Sequence, residues 1–235
     1  MTIYSFSHQG KKKTQEDAIL SFQEQNIFAI CDGVGGSSQG ALASTFIIDF
    51  VKNYGQSFGN NIENLLIEAS KGLEQLSINE GIWTEMATTV VIAKMIDDAT
   101  IITSHLGDSK FMYFSYLDES KNFISKDHSL KEEFKSAGLV NQDNRSFPFK
   151  NMITKYISNH KLPNITDFDS TIISGIKPND LFILCSDGAL EHITPTDLGK
   201  LFFENILQID KKWLYFDNLC KDLSKDNASC LMVKF

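Results

Sequence analysis

The run Phe28-Ala29-Ile30-Cys31-Asp32-Gly33-Val34-Gly35-Gly36 decides how this chain is read. Its apolar start, with β-branched and aromatic members, reads as a buried strand, and the glycines after Asp32 let the backbone turn away sharply. Asp32 is therefore expected at a strand end, facing out of a core. Two segments repeat the pattern: residues 181–185 lead into Ser186-Asp187-Gly188, and residues 101–106 into Gly107-Asp108-Ser109. Asp226-Asn227 stands at the start of a further apolar run, 228–233. In an antiparallel sheet the end of one strand and the start of its neighbour share an edge, so four carboxylates can converge on one rim. A single Asp-Gly is ordinary hairpin chemistry. Four acids on one rim repel each other unless a cation lies among them, and oxygen-only donors select a hard ion, magnesium or manganese.

At 235 residues with 42% hydrophobic side chains, the chain can bury a substantial core, and one domain spanning 1–235 is expected. A net charge of −8 argues against nucleic acid or an anionic membrane as partner, since both need a basic footprint. No apolar run is long enough to cross a membrane, and Met1-Thr2-Ile3-Tyr4-Ser5 lacks a basic region followed by an apolar one, so a cytoplasmic protein is expected. The four cysteines lack metal-type spacing, and three lie inside apolar runs, which reads as structural thiols. Of the 22 basic residues only Arg145 is arginine, so lysine can stand where arginine would serve better.

Along the chain, residues 3–7 and 18–22 read as strands on either side of a lysine-rich loop, Gly10-Lys11-Lys12-Lys13. Leu42, Phe46, Ile47, Phe50, Val51 and Tyr54 recur at helical spacing after Ser37 and Ser38, which are candidate caps, and a second amphipathic helix runs from Ile62 to Leu76. Residues 89–95, 100–106, 111–116 and 122–125 read as a meander of strands. A short helix over 129–137 ends at Gly138, and 140–150 reads as a polar surface loop. Strands are expected at 152–157, 168–173 and 181–185, then helices at 194–204 and 211–223 before the last strand. Two stretches of helix among many antiparallel strands predict an α+β sandwich, two sheets face to face with helices outside. No dinucleotide or P-loop glycine pattern is present.

Taken in order, Gly10-Lys11-Lys12, Gln15-Glu16-Asp17-Ala18, Asp32-Gly33-Val34-Gly35-Gly36, Ala87-Thr88-Thr89, Gly107-Asp108-Ser109-Lys110, Lys126-Asp127-His128, Ser186-Asp187-Gly188 and Asp226-Asn227-Ala228 resemble the metal-dependent PPM-type (type 2C) serine/threonine protein phosphatases, in the bacterial form. The resemblance implies a four-layer α-β-β-α sandwich with Mn2+ or Mg2+ as cofactor, two ions and room for a third. By resemblance, Asp32 bridges both ions, the Gly33 carbonyl binds one, and Asp187 and Asp226 bind the other. Glu16 and Asp17 hold metal-bound waters, and Asp108 joins Asp187 at the third site. Two cations about 3.5–4 Å apart lower the pKa of a shared water and aim the hydroxide in line at a phosphoester. Phosphorylated proteins would be the substrates of a monomeric enzyme, and a serine/threonine kinase its counterpart.

The sequence departs from the family at two places. Lys12 takes the position of the phosphate-binding arginine, which keeps the charge and loses the planar fork; Lys11 or Lys13 can share its task. Val34 replaces a histidine of eukaryotic members and cannot transfer a proton. His128, after Asp127, reads as a packed, hydrogen-bonded residue. The loop holding Arg145 corresponds to the family's flap, where Arg145 is expected to contact phosphate. The alternatives are a pseudophosphatase that keeps the fold without turnover, best supported by Lys12, and an unrelated metal-dependent hydrolase, for which the Asp-x-Asp nucleophile motif is missing because position 34 is valine.

Overall fold

The computed structural model of the chain describes residues 1–35, 38–139, 152–203 and 208–235. The strands are β1 (Thr2–His8), β2 (Asp17–Phe22), β3 (Ile27–Val34), β4 (Ala87–Thr88), β5 (Val90–Asp97), β6 (Thr100–Leu106), β7 (Lys110–Phe114), β8 (Phe123–Ile124), β9 (Ile157–Ser158), β10 (Asp169–Ser174), β11 (Leu181–Cys185) and β12 (Ala228–Lys234). The helices are α1 (Ser38–Tyr54), α2 (Ile62–Glu80), α3 (Leu130–Ser136), α4 (Pro195–Phe203) and α5 (Ile209–Leu223). One sheet runs β1-β12-β11-β7-β8; the other runs β10-β6-β5-β3-β4-β9, with β2 also paired to β3. Every pairing is antiparallel.

The alternation of strand side chains explains the layers. In β3, Phe28 and Ile30 point into a central core between the sheets, while Ile27, Ala29 and Cys31 meet Ile47, Val51, Leu66 and Leu73 of α1 and α2. In β11 and β12, Phe182, Leu184, Leu231 and Val233 join the same central core, while Ile183, Cys185, Cys230 and Met232 pack under Leu198, Phe202, Trp213 and Phe216 of α4 and α5. Strands covered on both faces have no polar side to show, which is why these runs are continuously apolar. Phe28 and Phe182 close the central core across the sheets, edge to face at 5.5 Å. The architecture is the expected α+β sandwich, two antiparallel sheets flanked by helices.

Helix α2 begins at Asn61, whose side chain accepts from the Asn64 N–H, and stops at Gly81 in the left-handed conformation. Two expectations need correction. The four strands from residue 89 to 125 are not one meander: β5 pairs with β6, but β7 and β8 lie in the other sheet. The reason is burial. Phe111 and Tyr113 face the central core while Met112 and Phe114 face α4 and α5, so β7 needs a covering layer on each side. Residues 152–157 likewise give no continuous strand; Ile153 makes a single bridge to Ser129, and pairing resumes only at Ile157. The loop with Arg145 and the cap candidate Ser37 lie outside the described residues. Among those described, no helix is long and apolar enough to cross a membrane.

Candidate functional site

Strand β2 pairs with β3 so that Asp17 lies directly opposite Asp32. The backbone of Asp32 is clamped by the Ala87-Thr88-Thr89 segment: the Thr89 hydroxyl accepts from its N–H at 3.1 Å, and the Thr89 N–H and the Thr88 hydroxyl donate to its carbonyl at 2.8 and 2.9 Å. Gly33 follows, and its Cα packs on Gly40 at the start of α1; a Cβ there would stand 2.5 Å from the Gly40 carbonyl carbon. The glycine-rich run is thus a close approach of backbones, and it fixes where the chain leaves Asp32.

The other sheet brings Asp187, just past β11, and Asp226, just before β12. Asp17 is tied to that sheet by the Ser186 hydroxyl, which donates to its Oδ2 at 2.8 Å. Asn227 is the central tie of the loop 9–16: its Oδ1 accepts from the Glu16 N–H at 2.9 Å, and its Nδ2 donates to the carbonyls of Gln9 and Thr14 at 2.7 and 2.9 Å. Lys12, on this loop, pairs with Asp226 at 2.8 Å, and that contact raises its pKa. Glu16 is buried.

The acids sense one another strongly. Burial raises the Asp32 carboxyl well above the usual carboxylate range, and the charges of Asp17, Asp187, Asp108 and Asp226 push it further. Asp17 is raised to about 6, first by burial, and Asp108 to about 7, first by burial and then by Asp187. Asp187 is open to solvent on one side yet crowded by chain on the other; that crowding, then Asp226, raises it as well. The fold thus brings Asp17, Asp32, Asp108, Asp187 and Asp226 onto one rim, with Gly33, Glu16 and Lys12 beside them.

This donor set fits a hard divalent cation. The groups are oxygen donors, five carboxylates face only Lys12, paired with Asp226, and Lys110, near Asp108, among the described residues, and the buried Oδ1 of Asp17 has no hydrogen-bond partner among them. A raised carboxyl pKa favours folding below the unfolded value, and that advantage is lost as pH rises through the folded one. In EDTA the protein should therefore lose stability between pH 4 and pH 7.5, with Tm falling by roughly 10 °C. Excess Mn2+ at pH 7.5 should restore it; a Tm flat across that range in EDTA would contradict the charge crowding.

Among the described residues, one trio of metal-type donors has ligand atoms all within 4.8 Å of one another, and it lies elsewhere: His105, His128 and Asp169. The two imidazoles stack 4.8 Å apart at 6°, so their in-plane lone pairs run side by side and do not converge on one ion. Both His105 nitrogens face carbonyls, of Asp169 at 3.2 Å and Lys126 at 2.7 Å. His128 accepts the Gly107 N–H on Nδ1 at 3.1 Å, and burial, then His105, lowers its pKa to about 4. The two rings form a hydrogen-bonded stack that props the turn before Asp108.

Thr88, Thr89, Ser186 and Asn227 are motif members to which the sequence alone assigns no task; their work is to hold the acids in place. Their polarity next to apolar strands was the available signal.

No family profile matches the chain. A curated protein of Mycoplasma pneumoniae, described as "Putative protein phosphatase", is 27% identical over 246 residues, covering 96% of this chain and 90% of that one. A solved bacterial serine phosphatase superposes over 100% of this chain and 97% of its own, at 22% identity and a TM-score of 0.85. The fold is that of the PPM-type phosphatases. A further structure of that fold, the catalytic domain of the serine/threonine phosphatase PstP in complex with two manganese ions, matches 99% of this chain and 97% of its own at 15% identity and a TM-score of 0.80. The phosphatase fold accounts for the two sheets and their flanking helices, and the motif resemblance agrees with it.

Proposed function

We propose that the chain is a metal-dependent protein phosphatase, one catalytic domain over 1–235, that hydrolyses phosphoserine and phosphothreonine. The observation that supports this most is the mutual crowding of Asp17, Asp32, Asp108, Asp187 and Asp226 where the two sheets meet. Asp32, Asp187, Asp226 and the Gly33 carbonyl would hold two ions, Mn2+ or Mg2+, with Asp108 and Asp187 serving a third. Bound, such ions supply a hydroxide at neutral pH and offset charge on the phosphoryl oxygens. Asp17 and Glu16 would accept hydrogens from waters of that centre and orient them. The Lys12 ammonium, now against Asp226, is within the same rim and would meet the substrate phosphate as a point charge without a bidentate fork. The phosphatase fold, the motif order and the similarity to named phosphatases support the phosphatase role; a serine/threonine kinase as its counterpart, a cytoplasmic location and a monomeric state are our own inference beside it.

The deciding test is hydrolysis of p-nitrophenyl phosphate and of a phosphothreonine peptide with millimolar Mn2+. Both activities should appear with the metal and vanish in EDTA. Turnover that ignores EDTA would refute the mechanism, and none in any metal would favour the pseudophosphatase, to which the replacement of arginine by Lys12 lends its one point.

A further inference from the structure

We infer that Glu191 is a positioning residue for Asp226, acting through the backbone of the turn that carries it; this rests on the metal-dependent reading above. Glu191 follows the short helical turn Asp187–Leu190 that begins at Asp187. Its carboxylate reaches across to the turn before β12 and accepts two consecutive backbone N–H groups, from Lys225 on Oε2 at 2.8 Å and from Asp226 on Oε1 at 3.3 Å. Both oxygens are thereby committed to backbone, with the His192 Nε2 3.5 Å from Oε2 on the outer side.

The same two turns interlock at other points. The Ser224 hydroxyl donates to the Gly188 carbonyl at 3.1 Å, and a Cβ on Gly188 would stand 2.0 Å from the Asn227 carbonyl oxygen. On the far side the Lys11 N–H donates to the Lys225 carbonyl at 3.2 Å. Asp226 also turns its own carboxylate back, accepting the Asn227 N–H at 2.9 Å. A charge-assisted pair of bonds to one carboxylate fixes the peptide planes of residues 225 and 226 more firmly than either neutral contact. Asp187 and Asp226 thus sit at two ends of one clamp, and Glu191 sets their separation. Partners of this kind, one shell out from the donors, commonly govern affinity by tenfold or more.

The test is Mn2+ binding by isothermal titration calorimetry to the full chain and to Glu191→Ala and Glu191→Gln, with Tm in EDTA recorded for each. Glu191→Ala should weaken Mn2+ binding by about tenfold. Glu191→Gln, whose amide oxygen can still take the Lys225 N–H, should recover most of that, to within about threefold of the unmodified chain. If both variants bind as tightly as the unmodified chain, or if Glu191→Gln is as weak as Glu191→Ala, the clamp is not what positions Asp226. A lowered Tm with unchanged Mn2+ affinity would make Glu191 structural only and likewise overturn the inference. An unmodified chain that binds no Mn2+ would refute the metal-dependent reading itself, and this inference with it.

Discussion

Asp32→Asn is expected to cut the Mn2+-dependent hydrolysis of p-nitrophenyl phosphate by at least about a thousandfold, the scale of several kcal/mol of lost charge stabilisation. Asp32 is the acid on which the repulsions of Asp17, Asp187, Asp108 and Asp226 all converge, so no neighbour can replace it. The amide keeps the shape of the side chain and the backbone bonds to Thr88 and Thr89, which do not depend on the carboxylate. The same substitution should raise Tm in EDTA at pH 7.5 by a few degrees, because it removes one charge from a crowded, half-buried group. Loss of turnover with a gain in stability separates a working acid from a structural one. Activity within tenfold of the unmodified chain would show that the rim is not the reacting centre.

Asn227→Ala should be the most destabilising single change at the rim. It leaves the buried Glu16 N–H and the carbonyls of Gln9 and Thr14 without their partner in one step. Three such bonds in a site that is 3% exposed are worth roughly 3–5 kcal/mol together, about 10 °C in Tm for a chain of this size. Urea unfolding monitored by circular dichroism measures it. A loss below about 1 kcal/mol would mean that the loop 9–16 is held by something else, the Ser44 hydroxyl on the Glu16 carbonyl at 2.5 Å being the next contact to test.

Much of the sandwich could be read from the chain because its strongest signals are local. Strands β3, β11 and β12 are apolar on both faces, and α1 and α2 carry clean stripes, so element type and layer order follow from periodicity. The sheet to which β7 belongs could not be read that way. A run such as Phe111-Met112-Tyr113-Phe114 is equally compatible with extending a meander and with crossing to a second layer, and only the packing of α4 and α5 decides it. The four strand-end acids were legible because each stands beside a glycine or at the edge of an apolar run. What they lean on was not. Glu191 lies 35 residues before Asp226 in the chain, and Asn227 reaches back over 200 residues to the first loop; neither distance leaves a trace in local pattern. The stacking of His105 on His128 was hidden for the same reason, since the two rings come from separate segments.

The acids of the rim come from both layers, Asp17 and Asp32 from one and Asp187 and Asp226 from the other, so neither half-molecule carries a complete set. On the proposed function, a chain whose halves have not yet docked would be chemically silent. Turnover would then report on assembly, and during refolding it should appear only after the seam between Phe28 and Phe182 has closed, later than the recovery of helix or strand signal.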